Sequence, residues 1–131
     1  MQSIDGARER VAPRHYHGVD LRGELVAGEF EGLTLILAIK EDCLGCRSVL
    51  DAPSNSFGDV ATMIVAARGA TEPGWETTSH RLLISEDLLQ QLDVRHPPLY
   101  ILIDPQNERV VTEGVIFGPS QVRDEIAPFL V

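Results

Sequence analysis

Three strand-length apolar runs dominate this chain: LTLILAI at Leu33 to Ile39, ATMIVAA at Ala61 to Ala67, and LYILI at Leu99 to Ile103. Each is predominantly aliphatic rather than alternating, so each calls for cover on both faces. Between them lie polar segments with helical punctuation. Ser85 stands before Glu86 and Asp87, an N-cap followed by acidic residues that suit the positive end of a helix dipole. Gly118 and Pro119 break the chain before a last helical stretch from Ser120 to about Leu130. Buried strands alternating with helices imply an α/β fold, a central mixed sheet flanked by helices on both faces.

The remaining elements follow from local signals. A short helix is expected from about Leu44 to Leu50, ending before Pro53. LLIS, Leu82 to Ser85, suits a short strand, and EDLLQQL suits the helix after it. DPQN is a turn, and RVVTEGVIF is the strand that pairs back. Residues 1–23 mix charge, proline and glycine with little periodicity and read as a partly irregular N-terminal arm. Residues 24–131 form the domain, with ELVAGEFEG an early edge strand or hairpin. At 131 residues the chain suits one such domain with a real core.

Charge narrows the partners. The formal net charge is −9 with no basic run, which disfavours nucleic acid. No stretch approaches the roughly 18 to 20 apolar residues of a membrane span. The polar start lacks a signal-peptide core. The expected location is cytoplasmic as the chain stands, and extracytoplasmic if a signal or anchor precedes it.

The only two cysteines are Cys43 and Cys46, in EDCLGC directly after the first apolar run. A close pair in a chain otherwise free of cysteine is a redox or metal motif rather than a structural staple. At a strand-to-helix junction, the helix N-terminus stabilises a thiolate. Three-residue spacing puts both sulfurs on one helix face, within bridging reach. Cys43 is then the accessible nucleophile, and the more buried Cys46 resolves the mixed disulfide. Lys40 and Arg47 favour the thiolate, whereas Glu41 and Asp42 oppose it. A zinc site would want two more ligands, and the four histidines are scattered.

LTLILAIKEDCLGC, LDVRHPPLYILIDPQNERVV and GPSQVRDEI together resemble the thioredoxin-fold family, in its redoxin or thiol-disulfide oxidoreductase branch. The resemblance spans about Leu33 to Leu130. It implies a thioredoxin-like sheet and a cis-proline facing the cysteines, assigned by the count to Asp104 to Pro98, with Pro97 the other register. It also implies substrate contact at Pro97, Pro98 and Asp42. Asp42 stands where a tryptophan commonly precedes the first cysteine, Leu44-Gly45 replaces Gly-Pro, and Leu37 stands where thioredoxin has a buried acid. Pro97 has no N–H to offer an extended substrate.

The implied activity is thiol-disulfide exchange on a protein or small-molecule disulfide. It needs no cofactor beyond the dithiol, and an external reductant or oxidant recharges it. Two other readings stand beside it. One is a non-catalytic binding module that docks partners on the acidic surface and the Pro97-Pro98 platform. The other is a Cu(I)-handling protein using Cys43, Cys46 and His96, since soft thiolates suit that ion. Trp75 either covers the site or packs at the core edge.

Overall fold

The computed structural model describes residues 11–130. In chain order the elements are β1 (His15–Val19), β2 (Leu25–Glu29), β3 (Thr34–Ile39), α1 (Leu44–Asp51), β4 (Ala61–Ala66), β5 (Arg81–Ile84), α2 (Glu86–Gln91), β6 (Leu99–Asp104), β7 (Arg109–Val115) and α3 (Pro119–Ile126). A 3-10 turn, Ala127–Phe129, closes the described chain. The strands form one mixed sheet in the order β2-β1-β5-β4-β3-β6-β7.

The aliphatic runs form the middle of this sheet. β3 pairs parallel with β4, Leu37 opposite Ile64, and antiparallel with β6, Leu37 opposite Tyr100. All six β3 residues are buried. The side-chain period of two divides them between two cores. Leu35, Leu37 and Ile39 pack on one face with Cys46, Val49 and Leu50 of α1 and with Val122 and Ile126 of α3. Ile36 and Ala38 pack on the other face with Leu88 and Leu89 of α2. Covering both faces in this way is what continuous apolar strands require, and each fully buried Leu or Ile contributes roughly 1.5–3 kcal/mol.

Local signals set the helix ends. Ser85 Oγ accepts from the Leu88 N–H at 3.1 Å and caps α2. Pro119 opens α3 one residue earlier than the expected Ser120, because a proline is best tolerated in the first turn. The regular helix stops at Ile126 rather than continuing to Leu130. Pro128 has no N–H to extend it, and the last residues tighten into the 3-10 turn.

The N-terminal segment departs from its expected irregularity. Residues 1–10 of the expected arm lie outside the described residues, but His15–Val19 is a sheet strand. It forms a hairpin with β2, from His15 opposite Glu29 to Val19 opposite Leu25. It joins β5 through the single pair Val19 and Ile84. Only Tyr16 of this strand is buried, its ring against Phe30 with centroids 4.8 Å apart. A strand with one inward side chain leaves no alternation to read. Gly18 permits the junction: a Cβ there would stand 2.2 Å from the Ile84 carbonyl oxygen.

Candidate active site

The chain leaves β3 at Ile39 and turns into α1 within four residues. Asp42 makes the turn with φ 57°, in the left-handed region. Cys43 is the N-cap of α1, with extended backbone. Its Sγ accepts from the Cys46 N–H at 3.2 Å, the contact an N-cap oxygen usually makes. Its carbonyl accepts from the Arg47 N–H at 3.0 Å and begins the helical ladder.

Cys43 and Cys46 are joined in a disulfide, with Cα atoms 5.2 Å apart. Cys43 is partly exposed, whereas Cys46 is 1% exposed and belongs to the core that holds Leu37 and Trp75. The backbone N–H of Lys40 donates to Cys46 Sγ at 3.4 Å. Two main-chain donors therefore point at this sulfur pair, one at each atom. Donors of this kind favour sulfur when it carries negative charge. The first turn of α1 carries no acidic residue, so the opposing charges come from outside the helix.

The proline pair lies near the dipeptide between the cysteines. The Pro97-Pro98 peptide is cis, which places Pro98 in the expected register. The Pro98 carbonyl accepts from the Ile116 N–H at 3.3 Å, fastening the start of β6 to the end of β7. A Cβ on Gly45 would lie 3.1 Å from the Ile116 carbonyl oxygen and 3.8 Å from the Pro98 ring. Gly45 thus lies close against the Ile116 carbonyl, while toward Pro98 an added Cβ would meet an ordinary van der Waals contact. Leu44, beside Gly45, is 84% exposed, and Phe117, one residue past Ile116, is 78% exposed.

A carboxylate from the loop after β4 completes the surroundings. Glu72 Oε1 accepts from Trp75 Nε1–H at 2.9 Å, and both its oxygens accept from the Asp42 N–H, at 3.3 and 3.2 Å. The hydrogen bond from Trp75, then that from Asp42, holds the Glu72 carboxyl below the usual carboxylate range, with help from the Arg47 charge. Asp42, Cys43, Leu44, Arg47 and Glu72 line one cavity of about 220 Å³. Trp75 is 1% exposed and packs in the core that also holds Cys46.

Of the residues singled out from sequence, Cys43, Cys46, Asp42 and Pro98 come together at the α1 N-terminus, with Pro97 beside Pro98. His96 is exposed. Among the described residues, no three His, Cys, Asp or Glu side chains lie close enough together to hold a metal ion. Glu72 had no signal in the sequence, because only the fold brings it to Asp42. The packing of Gly45 on Pro98 had a faint one, a residue without a side chain between the cysteines.

No family model matches the sequence, and no curated protein does. Solved structures do match. The thioredoxin domain of a thiol-disulfide oxidoreductase from Bacteroides vulgatus is 19% identical, with 92% of this chain and 96% of that chain covered and a TM-score of 0.67. A thiol:disulfide interchange protein from Bacteroides sp. is 19% identical over 93% of this chain and 89% of that chain, with a TM-score of 0.66. A thio-disulfide isomerase from Thermus thermophilus is 12% identical over 91% and 95%, with a TM-score of 0.61. These likenesses establish the fold: the sheet and its flanking helices are thioredoxin-like.

Proposed function

We propose that this chain is a thiol-disulfide oxidoreductase acting on a protein or small-molecule disulfide. The observation that carries the reading is the asymmetry of the bridge. One sulfur is reachable at a helix N-cap, and the other is buried behind it. The solved structures most like this chain include proteins described as thiol-disulfide oxidoreductases and interchange proteins, which supports the same reading.

In the reducing direction, the Cys43 thiolate attacks one sulfur of the substrate disulfide. A Cys43–substrate bond forms, the substrate S–S bond breaks, and one substrate thiolate leaves and takes up a proton. The Cys46 thiol loses its proton and attacks Cys43 Sγ. The mixed disulfide breaks, the second substrate thiolate leaves, and the Cys43–Cys46 bridge closes. Two electrons have passed to the substrate, and an external dithiol must return them. Run backward, the same steps oxidise a substrate dithiol, and an external disulfide then restores the bridge.

Docking falls to the groups around Cys43. Pro97 offers a carbonyl but no N–H, so a polypeptide substrate finds an acceptor there and no donor. Its remaining contacts would be with the Pro98 ring, the exposed Leu44 side chain and Asp42.

Single-cysteine variants test the reading. Cys46→Ser should accumulate a mixed disulfide with a substrate such as oxidised glutathione, readable by intact mass. Cys43→Ser should form none under the same conditions, because the remaining sulfur is buried. Equal trapping by both variants, or by neither, would remove the assigned roles.

A further inference from the structure

The loop between β4 and β5 reaches the turn before Cys43 through the Glu72 side chain. Its anchor is fixed: Trp75, which donates to it at 2.9 Å, is buried in the same core as Cys46. Its other partner is in an unusual state. Asp42 holds φ 57°, in the left-handed region that aspartate enters more readily than most side chains. The Glu72 carboxylate accepts from the Asp42 N–H itself, 30 residues away in sequence, and ties that turn to the loop. Asp42 is the residue that turns the chain to present Cys43.

Glu72 also shares the 220 Å³ cavity of Cys43. The other charged groups around it are Lys40, Glu41 and Asp42 from the turn after β3 and Arg47 from α1. Arg68 follows β4 and lines a neighbouring cavity with Lys40, Glu41 and Pro97. His96 precedes the proline pair and is exposed. Glu72 stands out in this set because its charge is held by two hydrogen-bond donors rather than by a freely moving side chain.

Resting on the thiol-disulfide reading, we propose that Glu72 is a positioning residue for that reaction. Anchored on Trp75, its carboxylate holds the Asp42 turn that presents Cys43 and fixes a negative charge on the wall of the Cys43 cavity. The charge opposes thiolate formation, so Cys43 is a weaker acid than the helix N-terminus alone would make it. A thiol of higher pKa is intrinsically the stronger nucleophile and a poorer leaving group. Glu72 thereby biases the pair toward giving electrons rather than taking them.

The test is the pH dependence of Cys43 alkylation by iodoacetamide in the reduced full chain, for wild type, Glu72→Gln and Glu72→Ala. Glu72→Gln keeps an oxygen acceptor and removes the charge. Its alkylation midpoint should move to lower pH, with the rate below the wild-type midpoint raised about threefold, the order expected of one charge across a solvated cavity. Glu72→Ala should shift it in the same direction and also speed hydrogen exchange at the Asp42 amide. A merely structural role would lower thermal stability and leave the midpoint in place. Unchanged midpoints in the Gln variant would overturn the proposal, even if the Ala variant failed to fold. The reading beneath it fails separately. If the wild-type pair does not cycle with a dithiol buffer while Glu72→Gln still moves the midpoint, the oxidoreductase reading falls, and with it the redox role of Glu72, leaving only its electrostatic effect on Cys43.

Discussion

Gly45 lies beside Ile116 across the active-site junction: a Cβ on Gly45 would sit 3.1 Å from the Ile116 carbonyl oxygen and 3.8 Å, an ordinary contact distance, from the Pro98 ring. The dipeptide between the cysteines is therefore also a packing surface. Gly45→Ala should change stability by less than about 1 kcal/mol, since its helix-propensity gain offsets the crowding. Gly45→Val adds bulk that the backbone oxygen cannot avoid and should cost about 1–3 kcal/mol. It should also slow thiol-disulfide exchange by prising α1 from the proline segment. Urea denaturation and a disulfide-reduction assay on the two variants check this. Equal stability of the Val variant and the wild type would count against the close packing.

Ser85 caps α2 from a buried position, its Oγ accepting the Leu88 N–H at 3.1 Å. Ser85→Ala leaves that donor without its partner and should cost about 1 kcal/mol. Ser85→Asp should retain most of the cap, because its carboxylate can accept the same bond. Thermal melts of the two variants separate capping from a simple loss of packing.

His80 is buried against Phe57, with ring centroids 5.6 Å apart, and among the described residues its Nε2 has no hydrogen-bond partner. Burial pushes its pKa below the usual histidine value, the Ala52 hydrogen bond only partly offsetting it. A depressed pKa in the folded state means the unfolded chain binds the proton more readily. The stability His80 contributes is therefore present above its unfolded value, near ~6.5, and is lost as pH falls through its folded value. His80→Leu should lose less stability than wild type between about pH 7 and pH 5. Denaturation midpoints for both proteins across that range give the comparison, and parallel curves would rule out the histidine as the source.

Tyr100 opposes Leu37 in the sheet and donates to Glu125 Oε1 at 2.7 Å. Burial first, and then the bond to Glu125, pushes its pKa up to about 12. A phenol raised in the folded state contributes stability that is intact below its unfolded value, near ~10, and is lost as pH rises through about 12. The phenolate absorbance of wild type minus that of Tyr100→Phe should show this late titration. A transition near the ordinary tyrosine value would contradict the burial.

The parts of this molecule that were legible in its sequence are those in which one run of residues carries its own physical reason. Leu33 to Ile39 could only be a strand covered on both faces, and the structure buries every residue from Thr34 to Ile39. Ser85, with the acids after it, marked a helix start, and the count from Asp104 back to the proline pair placed the cis bond at Pro98. What was not legible depends on tertiary proximity. β1 has one buried side chain and earns its place through the β2 ladder and the Gly18 approach to Ile84. Glu72 sits in a polar loop where nothing local separates it from Glu76. Its meaning comes from Trp75 and Asp42, which the fold brings to it. From its place beside Cys43, Asp42 is expected to touch substrate, and in the structure its backbone amide and left-handed turn are what hold the junction.

Whether Cys43 and Cys46 form a working redox pair is decided by their reduction potential, measured by equilibrating the protein in dithiol buffers and counting alkylated thiols by mass. A working pair gives a reversible two-electron transition between about −300 and −120 mV, toward the reducing end if Glu72 biases it as proposed. A pair that forms no intramolecular disulfide, or one that cannot be reduced without denaturant, would contradict the account.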